Sequence, residues 1–258
     1  MKRSLWARSI LLASLTLAAV PVAITAVPST ALADDKGDKT LAAIDTAVFK
    51  AKTQYLEYEA TIKVQDKADR QVQLGIWMKG DSRYTEFLGP SDVKGTKVLI
   101  LSPTQMYVYL PAYKKVRRIA SHVTDQGFMG MNFTQDEMSI AAYSRMYTAT
   151  VDSSDGKVTK LTLTAKKDSD APYPKIQMTV DGKNLPSEIK YFSDSGAHIK
   201  TETRSNYTCE GDVCAPKELK MVDHTKSNAS TTLVRKAWKV NPDIPDSRFS
   251  KRALEEES

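Results

Sequence analysis

The 258-residue chain is short of the side chains that carry covalent and metal chemistry. It has two cysteines, Cys209 and Cys214, and three histidines, His122, His198 and His224, spread far apart along the sequence. A C-x4-C pair without a second Cys or His pair is a weak ligand pattern, so no metal site is expected. The chain has no G-x-S-x-G, no P-loop, no H-E-x-x-H and no G-x-G-x-x-G, which excludes the common hydrolase, nucleotide and zinc-protease signatures. "GFMG" at 127–130 is too short to cradle a phosphate. A strong excess of one charge is also missing. The 37 basic residues face 31 acidic ones, and three of the basic ones lie in the first eight residues. Without Lys2, Arg3 and Arg8 the balance is 34 against 31, or +3, with the charges interspersed. That argues against nucleic acid as a partner. No catalytic residue and no cofactor is assigned.

What is present begins with an export pattern. Lys2, Arg3 and Arg8 precede an apolar run from Ile10 to about Val27, and "ALADD" offers an A-x-A cleavage site after Ala33. Residues 1–33 therefore read as a signal peptide and residues 34–258 as one exported domain. Pro21, Pro28 and the small residues favour cleavage over retention as an anchor. In an exported chain, "CEGDVC" reads as a disulfide from Cys209 to Cys214 closing a short hairpin at Gly211-Asp212. Half of a metal site is the rival reading.

Leu41, Ile44, Val48, Ala51 and Tyr55 recur at helical spacing, with Asp38 or Thr40 as a cap. The period then switches to two. Leu56, Tyr58, Ala60, Ile62 and Val64 alternate with polar residues, and Val72, Leu74, Ile76 and Met78 repeat the same spacing, facing one way. Short strands separated by turn residues continue to about Val240, interrupted between Ser121 and Ser144. There Thr134-x-x-Glu137 forms a capping-box pattern. A polar helix is expected over 246–257. The whole reads as mainly β (α+β): about eleven antiparallel strands with no β-α-β rhythm. A sheet of that size curls or closes, giving a curved sheet or incomplete β-barrel with a helical lid.

The stretch Tyr109–Met138 is the densest in chemistry. Lys114, Lys115, Arg117 and Arg118 are read either as charge protecting an edge strand or as a cationic rim for an anionic head group. Phe128, Met129, Met131 and Phe133 are read either as core or as a deformable lid that the neighbouring glycines let move. Asp136 and Glu137 suit the first turn of a helix better than an acid–base pair.

The run "KGTKVLILSPTQMYVYLPAYKKVRRIASHVTDQGFMGMNFTQDEM" resembles the outer-membrane lipoprotein-sorting family, the LolA-like proteins. Lys94–Thr96, Tyr109–Ile119 and Phe128–Met138 carry the resemblance, as does the ending "NPDIPDSRFSKRALE". It implies a LolA/LolB-like incomplete barrel in the periplasm that binds lipid or lipoprotein acyl chains without catalysis, for transfer toward the outer membrane. On that basis Leu56, Tyr58, Ile62, Val64, Val72, Leu74, Ile76 and Met78 are expected to line the cavity. Phe128, Met129, Met131 and Phe133 would form the lid, and Lys114, Lys115, Arg117 and Arg118 the rim. The implied partners are lipid or acylated lipoprotein cargo and an inner-membrane exporter, with the chain a monomer. The alternative is a lipid-sensing adaptor or regulator of a cell-envelope exporter.

Overall fold

The computed structural model describes residues 35–120 and 127–256. The predicted leader and His122 lie outside the described residues. Helix α1 (Asp35–Val48) buries Gly37, Leu41 and Ile44 on one stripe. A Cβ on Gly37 would lie 2.0 Å from the Ala149 carbonyl oxygen, so only glycine allows this approach. Asp38 does not cap the helix but accepts a hydrogen bond from the Ala149 amide at 2.7 Å, pinning α1 to the opposite edge of the fold. The helical period suggested by Ala51 and Tyr55 is not realised. The helix stops at Val48, because Tyr55 is held by strand pairing on both sides.

The strands form two meanders. The first contains β1 (Thr53–Lys63), β2 (Arg70–Lys79), β3 (Ser82–Gly89), β4 (Lys97–Ser102), β5 (Gln105–Leu110) and β6 (Lys115–Arg118). The second contains β7 (Tyr147–Ser154), β8 (Val158–Ala165), β9 (Lys175–Asp181), β10 (Pro186–Phe192) and β11 (His198–Ser205). A small separate hairpin, β12 (Thr208–Glu210) and β13 (Val213–Ala215), precedes β14 (Glu218–Asp223) and β15 (Ala229–Val240). The meanders join where β1 pairs with β15, giving the order β6-β5-β4-β3-β2-β1-β15-β14-β11-β10-β9-β8-β7. The sheet therefore has thirteen strands rather than about eleven.

The two edge strands, β6 and β7, follow one another in the chain but lie at opposite ends of the main sheet, so the chain must cross from one edge to the other. Residues 127–146 make that crossing over the inner face. The Phe128 ring lies 5.5 Å from Phe87 of β3, and the Asn132 amide donates to Thr231 Oγ1 of β15 at 2.8 Å. Lys200 of β11 donates to the Asn132 carbonyl at 3.2 Å. The crossing segment carries α2 (Gln135–Ser139) and α3 (Tyr143–Met146). Thr134 and Glu137 make the expected capping box, but the helix ends at Ile140 instead of running through it. The result is an open, curved antiparallel sheet with a helical plug on its inner face.

The main core fills the space between the sheet, α1 and the plug. A second cluster, Tyr84, Leu99 and Leu254, lies apart from it. The C-terminal segment is not one polar helix but a 3-10 turn (Asp246–Phe249) and one-turn helix α4 (Lys251–Glu255). Leu254 is wholly buried, and the Arg248 guanidinium stacks 4.6 Å from the Trp77 ring and 5.3 Å from Tyr84. This strap covers the outer face, which explains why β3 is buried on both sides, from Arg83 to Phe87.

Candidate functional site: an apolar cavity with a charged floor

Alternation along β1 and β2 sends Leu56, Tyr58, Ile76 and Met78 inward, and all four line a cavity of about 220 Å³. Val48 and Phe49 at the end of α1, Phe133 and Met138 of the plug, and Leu219 and Leu233 of β14 and β15 complete its apolar wall. Of the other residues expected there, Ile62, Val72 and Leu74 are buried but pack in the core beyond the cavity. Val64 lies past the end of β1 and is 39% exposed. Alternation places a residue on a face only while the strand lasts, and β1 ends at Lys63.

The expected lid residues lie in the crossing segment. Met131 and Phe133 are buried; Phe128 and Met129 are half-buried against the core. Phe133 alone of the four lines the cavity. The segment is tied down by Arg70, whose Nη1 donates to the Met129 carbonyl at 2.6 Å and whose Nη2 pairs with Asp92 at 2.7 Å. Gly127 serves close packing, since a Cβ there would lie 2.0 Å from the Met131 carbonyl oxygen.

The expected rim residues lie elsewhere than at this cavity. Lys114, Lys115, Arg117 and Arg118 are exposed on or beside β6, the edge strand, and none lines the cavity. Arg118 donates to the Thr104 carbonyl at 2.8 Å, and Arg117 stacks 5.5 Å from the Tyr113 ring. Of the two readings, protection of an edge fits this position.

The charges at the cavity come instead from β11. In "HIKTETRS" the side chains of Lys200, Glu202 and Arg204 share the inner face, and Thr201 and Thr203 point the other way. Arg204 Nε donates to Glu202 Oε1 at 2.7 Å, and the Tyr191 hydroxyl donates to Glu202 Oε2 at 2.6 Å. Arg204 Nη2 donates to the Tyr143 hydroxyl at 3.2 Å. Lys200 Nζ lies 2.8 Å from Glu137 Oε1, which also accepts from the Tyr173 hydroxyl. Glu137, Glu202, Arg204 and Tyr207 reach the cavity wall. Burial pushes the Tyr58 phenol up to about 12, against the pull of Arg235 and Arg204. Burial likewise raises Tyr207 to about 12. Tyr191 rises well above the ordinary phenol range through burial and the charge of Glu202. Burial works to lower the Arg204 pKa, but the Glu202 carboxylate outweighs it, and the guanidinium stays charged. At neutral pH the floor is thus a set of protonated phenols around paired ions.

Sequence reasoning missed this floor. The signal was there as an alternation of charged with uncharged polar residues, which a hydropathy pattern does not register. Distance in sequence also misled for two histidines. His198 and His224 lie 4.7 Å apart between ring centres, exposed, each 2.9 Å from Thr201 Oγ1. No group of three or more potential metal ligands occurs among the described residues.

The Cys209–Cys214 disulfide is formed and closes the β12–β13 hairpin. The hairpin stands at the cavity wall, where Cys214, Ala215 and Pro216 contribute. On its other side is a groove of about 730 Å³ beside α1. Lys50, just past α1, pairs with Asp212 at the hairpin tip at 2.5 Å and lowers its pKa below the usual carboxylate range.

An open antiparallel sheet curved round a helical plug and an apolar cavity is the LolA-like fold. A protein domain from Vibrio parahaemolyticus described as outer membrane lipoprotein-sorting superposes with a TM-score of 0.74 at 24% identity, covering 86% of this chain and 99% of its own. A LolA superfamily protein from Nitrosomonas europaea gives 0.70 at 20% identity, covering 84% and 98%. A DUF1329 family protein from Desulfovibrio piger gives 0.76 at 20%, covering 85% and 98%. No curated protein matches the chain in sequence. A family model described as "Uncharacterized protein"-like matches residues 79–256, and the chain belongs to that family.

Proposed function

We propose that the chain is a periplasmic carrier that holds lipid or lipoprotein acyl chains in the cavity between the plug and the sheet. The observation that carries this reading is the cavity itself: apolar side chains from α1, the plug and four strands converge on it inside a LolA-like fold. The disulfide fits an oxidising compartment outside the cytoplasm, and residues 1–33 would supply the leader that takes the chain there. In this reading the protein acts without catalysis, as a monomer, between an inner-membrane partner and the outer membrane.

The cavity of about 220 Å³ falls below the range of roughly 300–1,000 Å³ usual for ligand sites, so in this reading it enlarges on loading. Loading needs the plug to withdraw. Burying a sixteen-carbon chain would contribute on the order of 10 kcal/mol gross, at about 0.8 kcal/mol per methylene. Native mass spectrometry of protein purified without detergent tests the reading. Copurified lipid, or uptake of an added fatty acid at one per chain, is expected. A clean unliganded mass that added lipid does not shift would refute it. Replacing Ile76 by Trp should fill the cavity and reduce uptake at least about tenfold while leaving the circular dichroism spectrum unchanged.

A further inference from the structure

The charged floor bears on which lipid the cavity takes. We propose that the ligand is a single-chain amphiphile with an anionic carboxylate head, inserted head-inward so that the carboxylate meets Arg204. This rests on the carrier reading and deepens it by naming the ligand class.

Charges on the inner face of a central strand are costly, and apolar side chains there would be at least as stabilising. Both acids of the floor are occupied as acceptors. Glu202 takes Arg204 Nε and the Tyr191 hydroxyl, one on each oxygen. Glu137 takes Lys200 and Tyr173 on one oxygen and the Thr134 amide, at 2.8 Å, on the other. Lys200 is committed to Glu137 and to the Asn132 carbonyl. Arg204 is not used up in this way. A guanidinium has five N–H donors. Among the described residues, Arg204 places Nε on Glu202 and Nη2 on Tyr143. It lines the cavity with 14% of its side chain accessible.

Each carboxylate oxygen of the floor thus already accepts a hydrogen bond, and Glu137 and Glu202 are only 3% and 5% exposed, while Arg204 at 14% keeps unused donors. A carboxylate satisfies those donors. A cationic head meets Arg204's charge first, since the carboxylates are less exposed than the guanidinium. A bare hydrocarbon end leaves the remaining guanidinium donors unanswered. The tail would then lie along Leu56, Ile76, Met78 and Leu219. A single chain requires less enlargement of the 220 Å³ cavity than the several chains of a lipoprotein.

The test uses the mature chain and the uncharged fluorescent probe N-phenyl-1-naphthylamine, displaced by dodecanoate or by dodecyltrimethylammonium below their micelle concentrations. Dodecanoate is expected to displace the probe at a concentration at least about tenfold lower. In the charge-balanced variant E202Q/R204Q that advantage should vanish while the probe still binds. Equal displacement by the two amphiphiles, or a preference for the cation, overturns the proposal in the wild-type protein without any variant. An advantage that survives in E202Q/R204Q also overturns it. Failure of the wild-type chain to take up the probe overturns the carrier reading itself, and this proposal with it.

Discussion

Replacing Lys200 by Met removes one half of a buried ion pair that ties the plug to the sheet. Lys200 Nζ and Glu137 Oε1 are 2.8 Å apart, with only 9% and 3% of their side chains exposed. The methionine keeps the volume of the side chain but leaves Glu137 facing Tyr173 and the Thr134 amide without a counter-ion. Breaking a buried pair from one side costs about 3–5 kcal/mol, most of it the penalty of the charge left behind. The surviving hydrogen bonds to Glu137 place this case toward the lower end. For a chain of this size that corresponds to a fall in Tm of roughly 6–20 °C. Removing both charges, in E137Q/K200M, takes away the stranded carboxylate and should recover at least half of the loss. Urea unfolding with a constant m-value reads both changes. Because Glu137 also closes the α2 capping box, hydrogen exchange at the 131–138 amides should quicken in K200M before the sheet amides respond. A loss under about 1 kcal/mol in K200M, or a double variant as unstable as the sum of the two single ones, would refute the reasoning that this pair is desolvated and coupled.

Two further outcomes follow from the same structure. C209S/C214S opens a six-residue loop, and the chain-entropy model gives a loss of about 2 kcal/mol, readable as a lower urea midpoint. Its cavity wall should loosen as well, seen as faster exchange of the 213–216 amides, and unchanged exchange there would separate stability from gating. The second outcome concerns His198, whose pKa is held below its ordinary value by partial burial and by the neighbouring His224. The unfolded chain then binds the proton more readily, so wild-type stability should fall as pH drops through about 6.5 toward the lower folded value, and level off beneath it. H198N should show a smaller fall in Tm between pH 8 and 5; an identical pH profile for the two proteins would refute the assignment.

Parts of this molecule are legible residue by residue. Leu56, Tyr58, Ile76 and Met78 recur at period two, and the period survives because one face of β1 and β2 lines the cavity and core. Thr134 and Glu137 announce a helix start through a local hydrogen-bond pattern, and Cys209 and Cys214 announce a hairpin through spacing and compartment. Val64 and the C-terminal segment misled for opposite reasons. Val64 continues an alternation that its strand does not, and Leu254 is a single apolar side chain that a polar surrounding sequence hides.

The sequence by itself determined the class of fold: an antiparallel sheet large enough to curve, broken once by a helical stretch, with a disulfide hairpin near its end. These are local matters of periodicity, capping and turn chemistry. The tertiary structure alone decided where the charges work. The cations of β6, conspicuous in the sequence, stand at an exposed edge because the first meander runs out there. The inconspicuous Lys200, Glu202 and Arg204 lie on the inner face because β11 is the ninth of thirteen strands and the plug crosses above it. Which face of a polar strand is buried depends on what the rest of the chain lays across it, and no local pattern carries that information.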